Sequence, residues 1–167
     1  MKSKVLWIAL SLMLIICSGC FQTNFEPGKF KPGSEPDGFR GIKWGTDIAT
    51  LSDTLSGMTY INRVRTGQKT YVQTAGDLKI EGVNFKEIIY SFQGNNFVAV
   101  GAITSGYINC LKLESALFKK FGWGRTAHGH RAYGWFSENQ KTFMTLQYNK
   151  NRKNVYLYLG HSEETGK

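Results

Sequence analysis

The C-terminal two thirds of the chain alternates between two hydrophobic periods. From Val83 to Gln93, Ile88, Tyr90 and Phe92 alternate with Glu87, Ile89 and Ser91, which is the period of two of a strand. Gly94, Asn95 and Asn96 follow, residues that tolerate positive φ, so this strand and Phe97–Thr104 are expected to pair as a hairpin. The run from Phe97 to Ile103 is apolar on both faces and predicts a central strand that is covered on both sides or partly covered by a partner. The period then changes to that of a helix: Cys110, Leu113, Leu117 and Phe121 recur at +3, +4 and +4, with Asn109, Lys112, Ser115, Lys119 and Lys120 facing outward. Gly122 is placed to end this helix, and Lys119 and Lys120 complement its negative end. Beyond it, Tyr133–Ser137, Thr142–Tyr148 and Val155–Gly160 return to alternation and predict an antiparallel meander. Upstream, Ile48, Leu51, Leu55 and Met58 predict a short helix over 47–56 capped by Thr46 or Asp47, with Trp44 and Ile42 beneath it. Thr59–Arg65 and Lys69–Gln73 are expected to pair across Thr66-Gly67-Gln68. The fold class implied is α+β: a single domain over 38–161, with an antiparallel sheet of about six or seven strands, two helices packed on one face, and a polar tail over 162–167.

The first residues follow a different pattern. Lys2 and Lys4 precede an apolar run from Val5 to Cys17, broken only by Ser11 and shorter than the ~20 residues of a membrane-spanning helix. It closes on Ser18-Gly19-Cys20, small residues before a cysteine. This resembles the bacterial lipobox, which implies a signal peptide over 1–19 and a diacylated Cys20 as the first mature residue. Cys17 stands at −3, where the pattern prefers Leu. A plain secretory signal or an uncleaved anchor helix is the alternative. Between Cys20 and Asp37 lie all three prolines of the chain, Pro27, Pro32 and Pro36, with Gly28 and Gly33, so 20–37 reads as an extended tether. Phe21 is not the aspartate associated with inner-membrane retention, and the resemblance therefore implies the outer membrane, facing the periplasm, if the source is Gram-negative.

The segment Phe39-x-Gly41-Ile42-x-Trp44-Gly45-Thr46 ahead of a short helix resembles the opening of a group of uncharacterised bacterial exported proteins and lipoproteins. The resemblance extends over residues 38–160 and implies a hairpin, a helix ending in Phe-Gly and further strands. It implies no chemistry.

Composition narrows the function classes. The chain has 167 residues, 41% apolar and only 20% charged, which excludes wholesale disorder. The net charge is +9, and losing the two lysines of residues 1–20 still leaves +7 over 147 residues, so the domain itself is basic. In an exported protein the polyanions it would meet are lipid head groups, lipopolysaccharide or teichoic acids; nucleic acid is not expected. With Cys17 removed and Cys20 acylated, Cys110 is the one remaining thiol, and its leucine neighbours at helical spacing mark it as a buried small hydrophobe.

No set of residues advertises a reaction. His128-Gly129-His130 has metal-like spacing, with His161 as a conceivable third ligand, but histidines in a Gly-rich loop without nearby acids are usually just solvated, and no metal or other cofactor is expected. Gly122-x-Gly124 follows a helix and lacks the third glycine of a dinucleotide loop; Glu81, Glu87, Glu114 and Glu138 are scattered; no serine sits in a nucleophile elbow. Lys150, Arg152 and Lys153 fall in a turn that is first of all a solvated tip; with Arg125, His128, His130 and Arg131 they would form an anion-binding patch if the fold joins the two loops. Tyr133, Trp135, Phe136, Tyr156 and Tyr158 crowd the last strands. A covering helix would make them core, the commoner outcome, whereas an uncovered face would suit contact with a protein or glycan. The expectation is a non-catalytic cell-envelope lipoprotein, held to a membrane by its lipid anchor, whose domain binds an envelope partner. The alternatives are an anionic lipid, glycan or small molecule on loops 125–131 and 150–153, and, further off, a metal-dependent hydrolase.

Overall fold

A computed structural model of the chain describes residues 28–63, 68–126 and 131–162. Its main body is one nine-stranded sheet built around two antiparallel runs. The first comprises β4 (Thr59–Arg63), β5 (Gln68–Gln73), β8 (Glu87–Gln93) and β9 (Asn96–Ser105); the second comprises β11 (Ala132–Phe136), β12 (Thr142–Asn149) and β13 (Asn154–His161). They join where β13 pairs antiparallel with β9, and the fifteen-residue helix α2 (Tyr107–Phe121) carries the chain from β9 to the far edge. There β10 (Arg125–Thr126) and β1 (Gly28–Lys29) both pair with β11, and β1 makes the only parallel contact among the described strand pairs. Two hairpins, β2–β3 (Gly38–Phe39, Ile42–Lys43) and β6–β7 (Lys79–Ile80, Val83–Asn84), stand apart from this sheet.

The expected α+β class holds, with a sheet larger than the six or seven strands anticipated. The difference arises at the ends of the chain path. Residues 28–37, expected to be tether, belong to the domain. β1 aligns Gly28 with Trp135, the Phe30 ring packs edge-on to Phe121 at 5.8 Å, and Pro36 accepts a hydrogen bond from Trp44 Nε1 at 2.8 Å. The strand expected over 83–93 is broken at Phe85 and Lys86 into β7 and β8, because Phe85 turns into the core. Gln68 belongs to β5 rather than to the preceding turn, whose Thr66 and Gly67 lie outside the described residues, as do the signal segment and Cys20.

One face of the sheet carries the core. α2 presents Cys110, Leu113, Leu117 and Phe121, all buried, to Val100, Met144, Leu146, Val155 and Leu157. Gly122 ends the helix at φ +92, its N–H donating to Phe118 O at 3.0 Å. The first helix begins as a 3-10 turn (Ile48–Leu51) that runs into the single turn α1 (Ser52–Leu55). Asp47 is the cap, its carboxylate accepting from Ala49 N at 2.7 Å, and Leu51 and Leu55 reach the same core. Both helices therefore lie on one face, as the periodicity implies. The β2–β3 hairpin turns through Arg40 at φ +52 and Gly41 at φ +81, positive at both central positions as its tight turn requires. It delivers Ile42 to the core and stacks Trp44 on Phe97 at 5.1 Å.

Trp135 anchors the far end. Its side chain is fully buried, its Nε1 donates to Gly122 O at 2.8 Å, and it lies so close to Gly124 that a Cβ there would come within 2.7 Å of the indole. Trp135→Ala is expected to cost about 3–5 kcal/mol through the cavity left and the orphaned Gly122 carbonyl. The check is urea denaturation, with Phe143→Ala on the opposite face of the same sheet costing less.

Candidate functional site

Cross-strand partners share a face, so the register assigns the side chains of the second face. One row runs Ile61, Thr70, Ser91, Ala99, Gly160, Phe143, Phe136; the next runs Thr59, Val72, Ile89, Gly101, Tyr158, Thr145, Gly134. A third brings Glu87, Ile103, Tyr156 and Gln147 together. No described helix or hairpin covers these rows, although Thr70, Ser91, Ala99 and Gly160 within them are buried. Tyr158 and Phe143 are nevertheless only partly exposed, because they lie down over glycine. A Cβ at Gly160 would come within 2.6 Å of the Phe143 ring, and one at Gly101 would touch Tyr158 at 3.9 Å. Phe136 stacks on Phe143 at 5.7 Å and 21°, and Phe143 meets Tyr158 at 5.5 Å. The result is a low strip of three rings bordered by Ile103, Ile89 and Val72. Burial against these neighbours pushes the Tyr158 phenol up, well above its ordinary range. Within the first two rows no side chain is charged; Lys29 and Arg125 stand where those rows meet the β1 and β10 edge.

This face corrects the expectation that the late aromatics are core. Trp135 is core, and Tyr133 packs against Phe118 of α2 at 5.0 Å, but Phe136, Tyr156 and Tyr158 point to the uncovered side. The alternation in β11 and β13 contained that signal. What it lacked was the partner Phe143, whose orientation is set by pairing with Phe136 on one side and Gly160 on the other.

The basic loops fare differently. Lys150, Arg152 and Lys153 are exposed in the β12–β13 turn, where Asn149 Oδ1 accepts from Arg152 N at 3.0 Å and Lys153 O accepts from Gly106 N at 2.8 Å. Arg131 reaches the same end of the sheet, its carbonyl accepting from Tyr148 N at 2.9 Å. Its guanidinium, however, is held by Glu114 at 2.7 Å and lies over the Tyr107 ring at 4.8 Å. Arg125 is exposed on β10, opposite Gly134. His128 and His130 lie outside the described residues. The fold thus brings Arg131 to the 150–153 turn but commits it to Glu114. His161 is engaged as well, its Nδ1 3.0 Å from Thr142 Oγ1 and its ring parallel to Trp44 at 6.0 Å. Among the described residues no group of three His, Cys, Asp or Glu side chains could hold a metal ion.

Beneath Arg131 lies a small polar cluster. The Tyr133 phenol is pushed up to about 12, first by burial and then by its hydrogen bond to the Glu114 carboxylate, against the opposing pull of Arg131. Burial, reinforced by Glu114, also raises the Cys110 thiol, which is fully buried on the helix as its leucine neighbours imply. A thiol kept protonated in this way is a poor nucleophile. At the opposite edge of the sheet, a depression of about 480 Å³ is lined by Ile48, Ser52, Leu55, Tyr60, Lys69 and Tyr71. It is remote from the basic loops, and Lys69 donates to Asn95 Oδ1 at 2.7 Å.

In comparisons with known proteins, the chain matches no family model, no curated protein and no solved structure.

Because Tyr133 ionises later in the folded protein than the ~10 of a free phenol, its contribution to stability is complete below pH ~10 and is lost as pH rises towards 12. Chemical denaturation at intervals between pH 9 and pH 12 should show this decline. Tyr133→Phe should make it shallower, and an unchanged slope would mean that Tyr133 titrates normally.

Proposed function

We propose that this protein is a cell-envelope lipoprotein, anchored to a membrane through acylated Cys20, whose domain binds a protein partner on the open face of its sheet and performs no catalysis. The observation that carries the reading is the strip Phe136–Phe143–Tyr158, uncharged, partly exposed and without a covering helix or hairpin among the described residues. Protein interfaces concentrate aromatic residues and deplete charge at their centres, with polar groups at the rim. A protein partner rather than a small ligand fits this shape, because small molecules favour concave sites that enclose most of their surface. Placement at the outer membrane, facing the periplasm if the source is Gram-negative, is supported by the lipobox-like sequence and by Phe21 after the cysteine.

A second reading, an anionic lipid, glycan or small molecule on the basic loops, draws support from the exposed Lys150, Arg152 and Lys153 beside the first residues of β11. Arg131 adds little to it while paired with Glu114. Site-directed photocrosslinking in intact cells separates the two. A photoreactive residue replacing Tyr156 should give a discrete protein adduct, abolished by Phe143→Glu, while the same residue at Lys150 should not. Adducts confined to Lys150 and containing lipid or glycan would transfer the function to the loops.

A further inference from the structure

The edge of the sheet where the described chain begins combines features that the open face does not explain. Trp123, directly after α2, is 80% exposed, the most exposed large hydrophobic side chain of the described residues. It is held rather than free, its ring lying 4.8 Å from Phe118, which in turn packs on Trp135 at 5.9 Å. Exposing an indole on a rigid support forfeits the gain from burying it, unless something else receives it.

The surroundings indicate what that is. Lys29 on β1, Lys31 just beyond it and Lys119 on the last turn of α2 are all exposed along this edge. Lys31 is brought to the helix end by its own bonds, N to Phe121 O at 2.9 Å and Nζ to Lys119 O at 2.8 Å. Of the acids near this region, Glu114 pairs with Arg131 and Glu81 with Lys120, each at 2.7 Å, and the exposed Glu35 and Glu138 leave the lysines, with Arg125, in excess. An exposed tryptophan with exposed lysines on the neighbouring segments matches the chemistry of an anionic membrane surface, where indoles settle at head-group depth and lysines meet phosphates.

The path of the chain points the same way. Gly28 is packed against the backbone of Trp123, Gly124 and Arg125 so tightly that a Cβ there would collide with Trp123 O. Gly28, the first described residue, therefore lies beside Trp123. Seven residues, 21–27, separate Gly28 from Cys20, a reach of about 28 Å at full extension.

We infer that this edge, with Trp123 at its tip and Lys29, Lys31 and Lys119 around it, docks on an anionic phospholipid bilayer. The inference rests on the membrane-tethered reading above, since the short connection to Cys20 is what keeps the edge within reach of the bilayer. Edge-on docking turns the broad face of the sheet away from the lipid and leaves the Phe136–Phe143–Tyr158 strip open to its partner. It also gives the basic charge of the domain a specific task, the alignment of the fold on its membrane.

The test uses the full chain, extracted in detergent and reconstituted into vesicles of phosphatidylcholine alone or mixed with phosphatidylglycerol, each containing acyl-brominated lipid as a fluorescence quencher. Subtracting the spectrum of Trp123→Phe isolates the Trp123 emission. In the mixed vesicles that emission should shift to the blue and be quenched; both effects should disappear in high salt and in the combined variant Lys29→Gln, Lys31→Gln, Lys119→Gln, with the circular dichroism unchanged. Emission that stays at the solvent-exposed wavelength, unquenched, in the mixed vesicles overturns the docking, as does equal quenching in phosphatidylcholine alone. Fatty-acid labelling of the wild type and of Cys20→Ser is read in parallel. Quenching without Cys20-dependent labelling would remove the acyl anchor and leave the docking, whereas labelling without quenching would remove the docking and leave the anchor.

Discussion

Everything in this fold answers to a mismatch of areas. The paired path of eight strands is about 34 Å wide at the usual spacing of neighbouring strands. The helix available to cover it, fifteen residues in α2, is about 22 Å long and ~10 Å across. One helix cannot roof one face of such a sheet, still less two. On the inner face the shortfall is made up by small pieces: the β2–β3 hairpin brings Ile42, α1 and the turn before it bring Leu55 and Leu51, and the stretch from β7 brings Val83 and Phe85. On the outer face no described element remains, and the sheet adapts within its own layer. Phe143 and Tyr158 lie across Gly160 and Gly101, which withdraws part of each ring from water without a second layer.

That partial withdrawal favours the protein-binding proposal over the basic loops. Complete burial of a phenylalanine is worth roughly 1.5–3 kcal/mol, and rings that are half covered hold part of that gain in reserve for a partner. A solvent-exposed ion pair such as Lys150 or Arg152 could offer contributes about 0–1 kcal/mol. Three adjacent rings therefore outweigh the basic turn as a source of affinity. Long-range attraction to a charged surface needs no such burial, and there the positive charge of the domain is effective. The two roles fall on different parts of the molecule, the rings on the broad face and the lysines around Trp123 on the edge.

Much of this arrangement could be read from the residues. The period of 3.6 in Cys110, Leu113, Leu117 and Phe121 identifies α2 and its buried side, and the alternation in β8, β9, β12 and β13 identifies the strands, because in both cases the burial is repeated several times along one element. Where burial rests on a single contact, the pattern is silent. Residues 28–37 look like tether because Pro32, Pro36, Gly28 and Gly33 dominate their composition, yet Phe30 on Phe121 and Pro36 O on Trp44 secure them to the domain. The break at Phe85 depends on one side chain turning inward. The aromatic face was legible only in half: alternation puts Phe136, Tyr156 and Tyr158 on one side, but whether that side is covered depends on how many elements the rest of the chain can spare. The pairing of Arg131 with Glu114 joins two elements 17 residues apart, a relation that no local spacing encodes.

The central claim is that the outer face of the sheet is open in the isolated protein and occupied in the cell envelope. Hydroxyl-radical footprinting, read residue by residue at Phe136, Phe143, Tyr156 and Tyr158, tests it most directly, with the purified chain compared against the same chain in native membranes. The account predicts measurable oxidation of these partly exposed rings in the purified protein and strong protection in the membranes, while buried Trp135 stays protected in both. Equal oxidation in the two settings would contradict it.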